Sequence, residues 1–363
     1  MKILHIVSNK SWGGGEQYVY DLCLRQRAEG IGMCIFSKPV ADIVAKYEAA
    51  GIAVMTLPLG GALDVKSAWR MAKVIRRQES GDRSLILHAH NFKDALTACY
   101  ARRLSRRKNV RVVMCRHLTR TGKTSLLYRW LYRELDALVF DSELSKQVFL
   151  STHPVIDEGK LRVVHTSVVT PPDTVAAPLR QELGIADDTV IGMFHGRLDA
   201  EKGLDVVLDA AARLREKNFA LVLVGTGADD YTAHLRQTAA EKGIAAKVHF
   251  AGFRHPVLPC VAAADFGILA STVREGCPLS PQEYMSQGHP VIVTDNGGQR
   301  EYVIDGHNGL LVPPGDAGAL AAAMGRLIDD AALRRQLGVQ AKADFDDHLN
   351  YEYYYQQIRE IYL

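Results

Sequence analysis

No two of the six cysteines in this 363-residue chain stand in C-x-x-C spacing. Cys23, Cys34, Cys99, Cys115, Cys260 and Cys277 are scattered, and a chain this long does not need covalent staples. Reduced thiols in a cytoplasmic protein are therefore expected. No apolar run approaches the roughly 20 residues that cross a bilayer. The N-terminal MKILHIVSNKSWGGGEQ lacks a small-residue cleavage site, so it reads as a first strand ending in a glycine turn, not as a signal peptide. No short repeat or low-complexity tract is present. What remains, 47% hydrophobic and 23% charged residues, is an ordinary soluble globular composition with length enough for two domains.

One further absence is local. Between Ala95 and Arg133 there is no Asp or Glu but 11 Lys and Arg. The net charge of +3 hides this imbalance: residues 1–170 hold 27 cations against 15 anions, and residues 171–363 hold 17 against 26. Halves of opposite sign imply different partners. The basic stretch, with Tyr128, Trp130 and Tyr132 interleaved, has the composition that an anionic membrane surface attracts. It is also what a solvated helix face looks like. No RNA- or DNA-binding module appears, so nucleic acid is not an expected partner. Arg102, Arg103, Arg106, Arg107, Arg116 and His117 are the candidates for acceptor or membrane contact.

Short apolar runs alternate with amphipathic stretches along the whole chain. KILHIVS, MCIFSKP, AVMTLPL, SLILHAH, VRVVMCR, ALVFDSE and LRVVHTS come first, and TVIGMFHG, FALVLVG, KVHFAG, DFGILAS, HPVIVTD and GLLVPP follow. Buried strands separated by single helices make βαβ units on parallel sheets, here in two sets. The fold class is therefore α/β, with two doubly wound Rossmann-like domains. The expected division is 1–170, 171–345, and a C-terminal helix over 346–363 that returns to the first domain. The proline-containing stretch 168–184 is the expected linker. Two such domains facing one another leave a cleft along their strands' C-terminal edges, where α/β folds bind ligands.

Chemistry is then sought in the loops that follow strands. Ser11-Trp12-Gly13-Gly14-Gly15-Glu16 lets backbone approach a ligand and opens a helix N-terminus, which favours an anion. It lacks the third glycine of the dinucleotide fingerprint. Thr121-Gly122-Lys123-Thr124 resembles the end of a P-loop, but His117 stands where that motif needs glycine. His88 and His90 share one face of a strand, as a metal-binding pair would. Satisfied structural histidines are the alternative reading, and His90, nearer the strand end, is assigned to the cleft. His195-Gly196-Arg197 through Lys202-Gly203 brings a guanidinium and an ammonium to a strand edge, which suits a diphosphate. In EGCPLSPQE, Ser280, Pro281 and Glu283 fit a helix capping box. Glu275 has no such structural explanation, and a carboxylate in that loop can accept hydrogen bonds from a sugar.

Together GGGEQ, HAHN, GRLDAEKG, the Glu-x₇-Glu of EGCPLSPQE and GHPVIVTDNGGQREYVIDGHNGLLV resemble the retaining glycosyltransferases of family 4, of GT-B architecture. The resemblance spans most of the chain, and its most specific part is the glutamate pair with the glycines that follow. It implies transfer of a sugar from a UDP- or GDP-sugar to a glycan or lipid-linked acceptor in cell-envelope polysaccharide synthesis. The cysteines and the basic stretch set the expected location: the cytoplasm, with peripheral attachment to the membrane's inner face. The resemblance implies that Gly14 and Gly15 approach the donor diphosphate or the acceptor, and that His90 contacts the donor sugar at the reacting centre. Arg197 and Lys202 would neutralise the leaving diphosphate, and Glu275, beside the amides of Cys277 and Leu279, would hold the transferred sugar. Glu283 would take the ribose hydroxyls. No metal or other cofactor is expected. Pro278 departs from the family's usual Glu-Gly-Phe-Gly-Leu and removes one backbone donor. A nucleotide-sugar 2-epimerase on the same architecture, and a basic nucleic-acid- or membrane-binding protein without turnover, are the rival readings.

Overall fold

Each apolar run becomes a strand in the computed structural model, which describes residues 1–78, 84–171 and 173–363. The chain divides into two units. One comprises Met1–His165 with Tyr355–Leu363, and the other Thr166–Tyr354.

In the first unit the strands are β1 (Lys2–Val7), β2 (Gly32–Ser37), β3 (Val54–Thr56), β4 (Leu85–Ala89), β5 (Val110–Arg116), β6 (Ala137–Phe140) and β7 (Leu161–Val163). They form one parallel sheet in the order β3-β2-β1-β4-β5-β6-β7. Helices cover both faces, so β4 is buried at every position and β1 at all but its first, as parallel sheets require. The strand order turns back between β1 and β4, and a ligand crevice of a doubly wound sheet opens there. Register places His5 of β1 opposite His88 of β4.

The second unit repeats the plan with β8 (Val190–His195), β9 (Phe219–Val224), β10 (Val248–Gly252), β11 (Phe266–Leu269), β12 (Val291–Thr294) and β13 (Gly309–Val312). All are parallel, in the order β10-β9-β8-β11-β12-β13, which turns back between β8 and β11. The stretch expected as a linker is largely built into this unit. Val168 and Leu179 are buried in its core, and Leu179–Leu183 is helical. Pro172 of that stretch lies outside the described residues. The aromatic C-terminal segment is helical over Tyr351–Tyr362. Its later residues dock in the first unit, where Tyr355 Oη donates to Glu29 (2.8 Å) and Arg111 donates to the Tyr362 carbonyl (3.0 Å).

Candidate active site

The loops after β8 and β11 meet at the second unit's turning point. Gly203 is what lets them meet. It sits at φ +69°, and a Cβ there would lie 2.0 Å from the Ala270 carbonyl oxygen. Thr272 N–H donates to the Glu201 carbonyl (2.9 Å), Thr294 Oγ1 donates to the Ser271 carbonyl (2.9 Å), and Gly298 N–H donates to the Glu275 carbonyl (2.9 Å). Three loops are thus laced into one surface, and the side chains on it are held rather than free.

On that surface Lys202 Nζ lies 2.5 Å from Glu275 Oε1, which also accepts from buried Ser271 Oγ at 2.5 Å. Both members of the ion pair are mostly shielded, with side chains 23% and 18% exposed, so their attraction is screened less than on open surface. A second cluster lies on the adjoining helix, Leu279–Ser286. Glu283 Oε2 is 2.5 Å from His195 Nε2, and His195 Nδ1 is 2.9 Å from Tyr284 Oη, which donates to the Met193 carbonyl (2.8 Å). Burial, with the Glu283 carboxylate adding to it, pushes the Tyr284 phenol well above its ordinary value, so it remains a neutral donor.

This overturns the capping-box expectation. The helix begins at Leu279 with Pro278 in the cap position and no side-chain cap, so Pro281 falls inside the first turn and Glu283 beyond it. Glu283 is spent on His195, not on its own helix end. Leu279 is the first helical residue, so its N–H has no partner within the helix itself. Cys277, two residues earlier, has its sulfur 3.5 Å from the Thr166 carbonyl oxygen. Arg197 is not drawn into either cluster: it pairs with Asp199 at 2.6 Å, and its side chain is 71% exposed.

In the first unit, the turning point between β1 and β4 holds a cavity of about 710 Å³. Gly15, His90, Asn91, Arg116 and His117 line it, and Lys10, Lys38, Lys93, Arg120 and Lys123 add positive charge. Gly14 and Gly15 open the helix Gly14–Ala28, and a side chain at Gly14 would meet nothing within 4 Å. Asn91 caps the next helix, Phe92–Ser105, by accepting from Asp94 N–H (3.0 Å). The buried Asp94 carboxyl, bonded to Asn91 Nδ2 (2.6 Å) and Ser8 N–H (3.3 Å), is raised to about 7 by burial. His90 is lowered well below the usual histidine range by burial and by the neighbouring imidazoles of His88, His5 and His117. A third histidine does stand beside the pair: His5, contributed by the adjacent strand.

Arg116 is an anchor for the loop after β5. It donates to the carbonyls of Leu118 (3.1 Å) and Arg120, and its guanidinium lies over Phe92 and Phe149. His117 packs edge-on against Tyr18, with ring centroids 4.4 Å apart. The arginines of the basic stretch are engaged internally to a large degree. Arg102 pairs with Glu134 (3.0 Å) and Asp136 (2.8 Å), Arg103 pairs with Glu134 (2.5 Å), and Arg107 donates to the carbonyls of Ile75 (3.0 Å) and Gln78 (2.7 Å). Arg106, the left-handed cap of its helix, is exposed. A more continuous cationic surface lies on Val65–Arg77, where Lys66, Arg70, Lys73, Arg76 and Arg77 are exposed beside exposed Leu63, Val65 and Trp69.

His195, Ser271 and Tyr284 were not singled out by sequence for a role. His195 was visible as the last residue of the run TVIGMFH, the position from which a strand delivers a side chain to the ligand edge.

Each α/β unit thus gathers polar loops at the turning point of its sheet, where doubly wound folds bind ligands. Residues 176–344 match the family model for glycosyl transferases group 1, and residues 12–171 match that for glycosyltransferase family 4. EpsD of Bacillus subtilis, named as a glycosyltransferase, is 30% identical over 275 residues, covering 71% of each chain. LpsE of Rhizobium meliloti, named as a lipopolysaccharide core biosynthesis glycosyltransferase, is 32% identical over 163 residues, 45% of this chain and 46% of LpsE. Among solved structures, Anabaena HepE in complex with UDP covers 99% of both chains with a TM-score of 0.85 at 23% identity. The chain belongs to glycosyltransferase family 4 and has its GT-B fold. Among the described residues, no helix is long and apolar enough to cross a membrane.

Proposed function

We propose that the protein transfers a sugar, with retention of anomeric configuration, from a UDP- or GDP-sugar to an anionic glycan or lipid-linked acceptor in cell-envelope polysaccharide synthesis. The observation that carries this is the Lys202–Glu275–Ser271 cluster, set beside Glu283–His195 where β8 and β11 turn apart. An ammonium next to a carboxylate answers both ends of a nucleotide sugar: phosphate oxygens take the cation, and sugar hydroxyls donate to the anion. Glu283, oriented by His195, takes the ribose hydroxyls. Arg197, exposed and paired with Asp199, turns to the diphosphate when it binds. In the reaction, the acceptor oxygen bonds to the anomeric carbon as the bond to the diphosphate breaks. The electron pair of that bond goes to the departing phosphate oxygen, and so does the acceptor's proton. Lys202 and Arg197 offset the developing charge, the work a divalent ion does in other transferases, so activity is expected to survive EDTA. Reading the first unit's cationic cavity as the acceptor site agrees with an anionic acceptor, and His90 on its wall with a part in the transfer. UDP and UDP-glucose in the HepE structures support a uridine nucleotide as the first donor to try.

The basic helix Val65–Arg77, with Trp69 at its exposed edge, supports attachment to the anionic inner face of the cytoplasmic membrane. Lys202→Ala and Glu275→Ala should each lower transfer at least tenfold while leaving the unfolding temperature near that of the parent. Unchanged rates in both would refute the assignment. Epimerised donor formed without any acceptor would favour the 2-epimerase instead.

A further inference from the structure

Beneath the first unit's cavity lies a chain of buried polar side chains that the proposed reaction does not use. His5, Gln26 and His88 are fully buried, and Tyr362 is 1% exposed. His90 Nε2 lies 3.2 Å from His5 Nδ1, and His5 Nε2 lies 2.9 Å from Gln26 Oε1. Gln26 Nε2 is 3.5 Å from Tyr362 Oη, Tyr362 Oη is 2.8 Å from His88 Nδ1, and His88 Nε2 is 3.0 Å from Cys115 Sγ. Tyr18 Oη also reaches that sulfur, at 3.6 Å. The far nitrogen of His90, Nδ1, is buried and has no hydrogen-bond partner among the described residues.

These contacts admit two proton arrangements. In one, Gln26 accepts from His5 Nε2–H, which leaves His5 Nδ1 to accept from His90 Nε2–H. Tyr362 takes the Gln26 amide proton and gives its own to His88 Nδ1, and His88 Nε2–H points at sulfur. The relay then ends on a bare lone pair at His90 Nδ1. In the other, every proton runs the opposite way with the Gln26 amide turned over, and an orphaned N–H is left at His90 Nδ1. Buried N–H groups without acceptors are the rarer and costlier case, so the first arrangement is favoured.

We infer that Gln26 and Tyr362 are positioning residues that fix His5 as an acceptor, and thereby hold the His90 ring with its proton on Nε2 and an open lone pair on Nδ1. The inference rests on the reading of His90 as the working histidine. It gives Tyr362 a function: the helix Tyr351–Tyr362 anchors the amide from which His90's tautomer is set. The same three imidazoles could hold a metal ion, since their nitrogens lie within 4.8 Å of one another. Metal-bound histidines, however, donate their outer N–H to a partner, and His90 Nδ1 has none among the described residues. All three rings are kept neutral by burial, which suits the relay, because a neutral imidazole has one donor and one acceptor.

The test is a two-bond ¹H–¹⁵N correlation spectrum of the full-length protein labelled at histidine, which reads the protonated nitrogen of each ring. Single-histidine variants supply the assignments. Expected in the parent are Nε2–H forms for His5, His88 and His90. Gln26→Leu should shift His5 and His90 together to mixed forms, and should lower kcat for turnover of UDP-glucose at least fivefold with KM unchanged. Tyr362→Phe, which keeps the ring, should do the same to a lesser degree. Three results would overturn the relay: Nδ1–H on His90 in the parent, unchanged tautomers or unchanged kcat in Gln26→Leu, or joint displacement of the three histidine signals by equimolar zinc. The parent spectrum decides even if a variant fails to fold. Expected tautomers in a protein that turns over no nucleotide sugar would support the relay while refuting the transferase reading, so the two fail separately.

Discussion

Replacing Lys202 by methionine removes a charge and keeps an unbranched side chain one heavy atom shorter. In the structure the ammonium stands 2.5 Å from Glu275, and both are largely shielded from solvent. A hydrogen bond between charged groups contributes about 1.5–3 kcal/mol, so losing the contact to a diphosphate should weaken binding by roughly 10- to 150-fold. The substitution also leaves Glu275 bare beside the incoming phosphates. Like charges about 4 Å apart near a surface repel by up to about 4 kcal/mol, so the lower end of that range is a floor. Isothermal titration with UDP and GDP at fixed ionic strength measures the loss. Uridine and guanosine, which lack phosphates, should be unaffected. Adding Glu275→Gln to Lys202→Met should restore part of the affinity, because the pair is coupled and the bare carboxylate is then gone. A change under threefold, or a parallel loss for the nucleosides, would refute the argument.

Three other outcomes follow from the geometry. Gly203→Ala forces an L-residue to φ +69° and drives a Cβ into the Ala270 carbonyl at 2.0 Å, so it should destabilise by about 3 kcal/mol or more. Gly184→Ala has a similar φ of +66° but open space around it; it should cost only about 1–2 kcal/mol, and equal losses by calorimetry would contradict the packing account. Asp94, raised to about 7 in the fold from an ordinary value of 3.8, binds a proton in the folded state that the unfolded chain has lost. Its contribution is therefore fully present below the ordinary value and lost as pH rises through about 7. Asp94→Asn should gain stability relative to the parent as pH rises from about 4 to about 7 in thermal unfolding, and a constant difference over that range would rule this out. Finally, each cation near an anionic membrane contributes about 1 kcal/mol. Converting Lys66, Arg70 and Lys73 to glutamine should cut flotation with phosphatidylglycerol vesicles about 100-fold at low salt. Undiminished flotation would remove the membrane surface from Val65–Arg77.

The strands were legible in sequence because buried parallel strands are unbroken apolar runs, and these runs recur between amphipathic stretches from β1 to β13. The loop positions of Lys202 and Glu275 were legible for the same reason: each follows such a run. What sequence concealed was pairing across distance. The acid-free window that made the basic stretch conspicuous ends at Arg133, and the next residue, Glu134, binds Arg102 and Arg103, with Asp136 close behind. Glu283 met a local motif on paper, yet its partner His195 lies 88 positions earlier. Proline tolerates the first turn of a helix wherever it falls in that turn, so Ser280-Pro281 could not fix the start to one residue. His5 looked like any residue of a first strand until register set it against His88.

The most direct test of the donor site is ³¹P NMR of UDP, and separately of GDP, titrated with the protein in excess EDTA. Both phosphorus resonances of one nucleotide should shift and broaden with the parent protein, and should stay sharp with Lys202→Met at the same concentration. Resonances of both nucleotides that remain unmoved by the parent at millimolar ligand would contradict the assignment of Lys202, Glu275 and Glu283 to a nucleotide diphosphate.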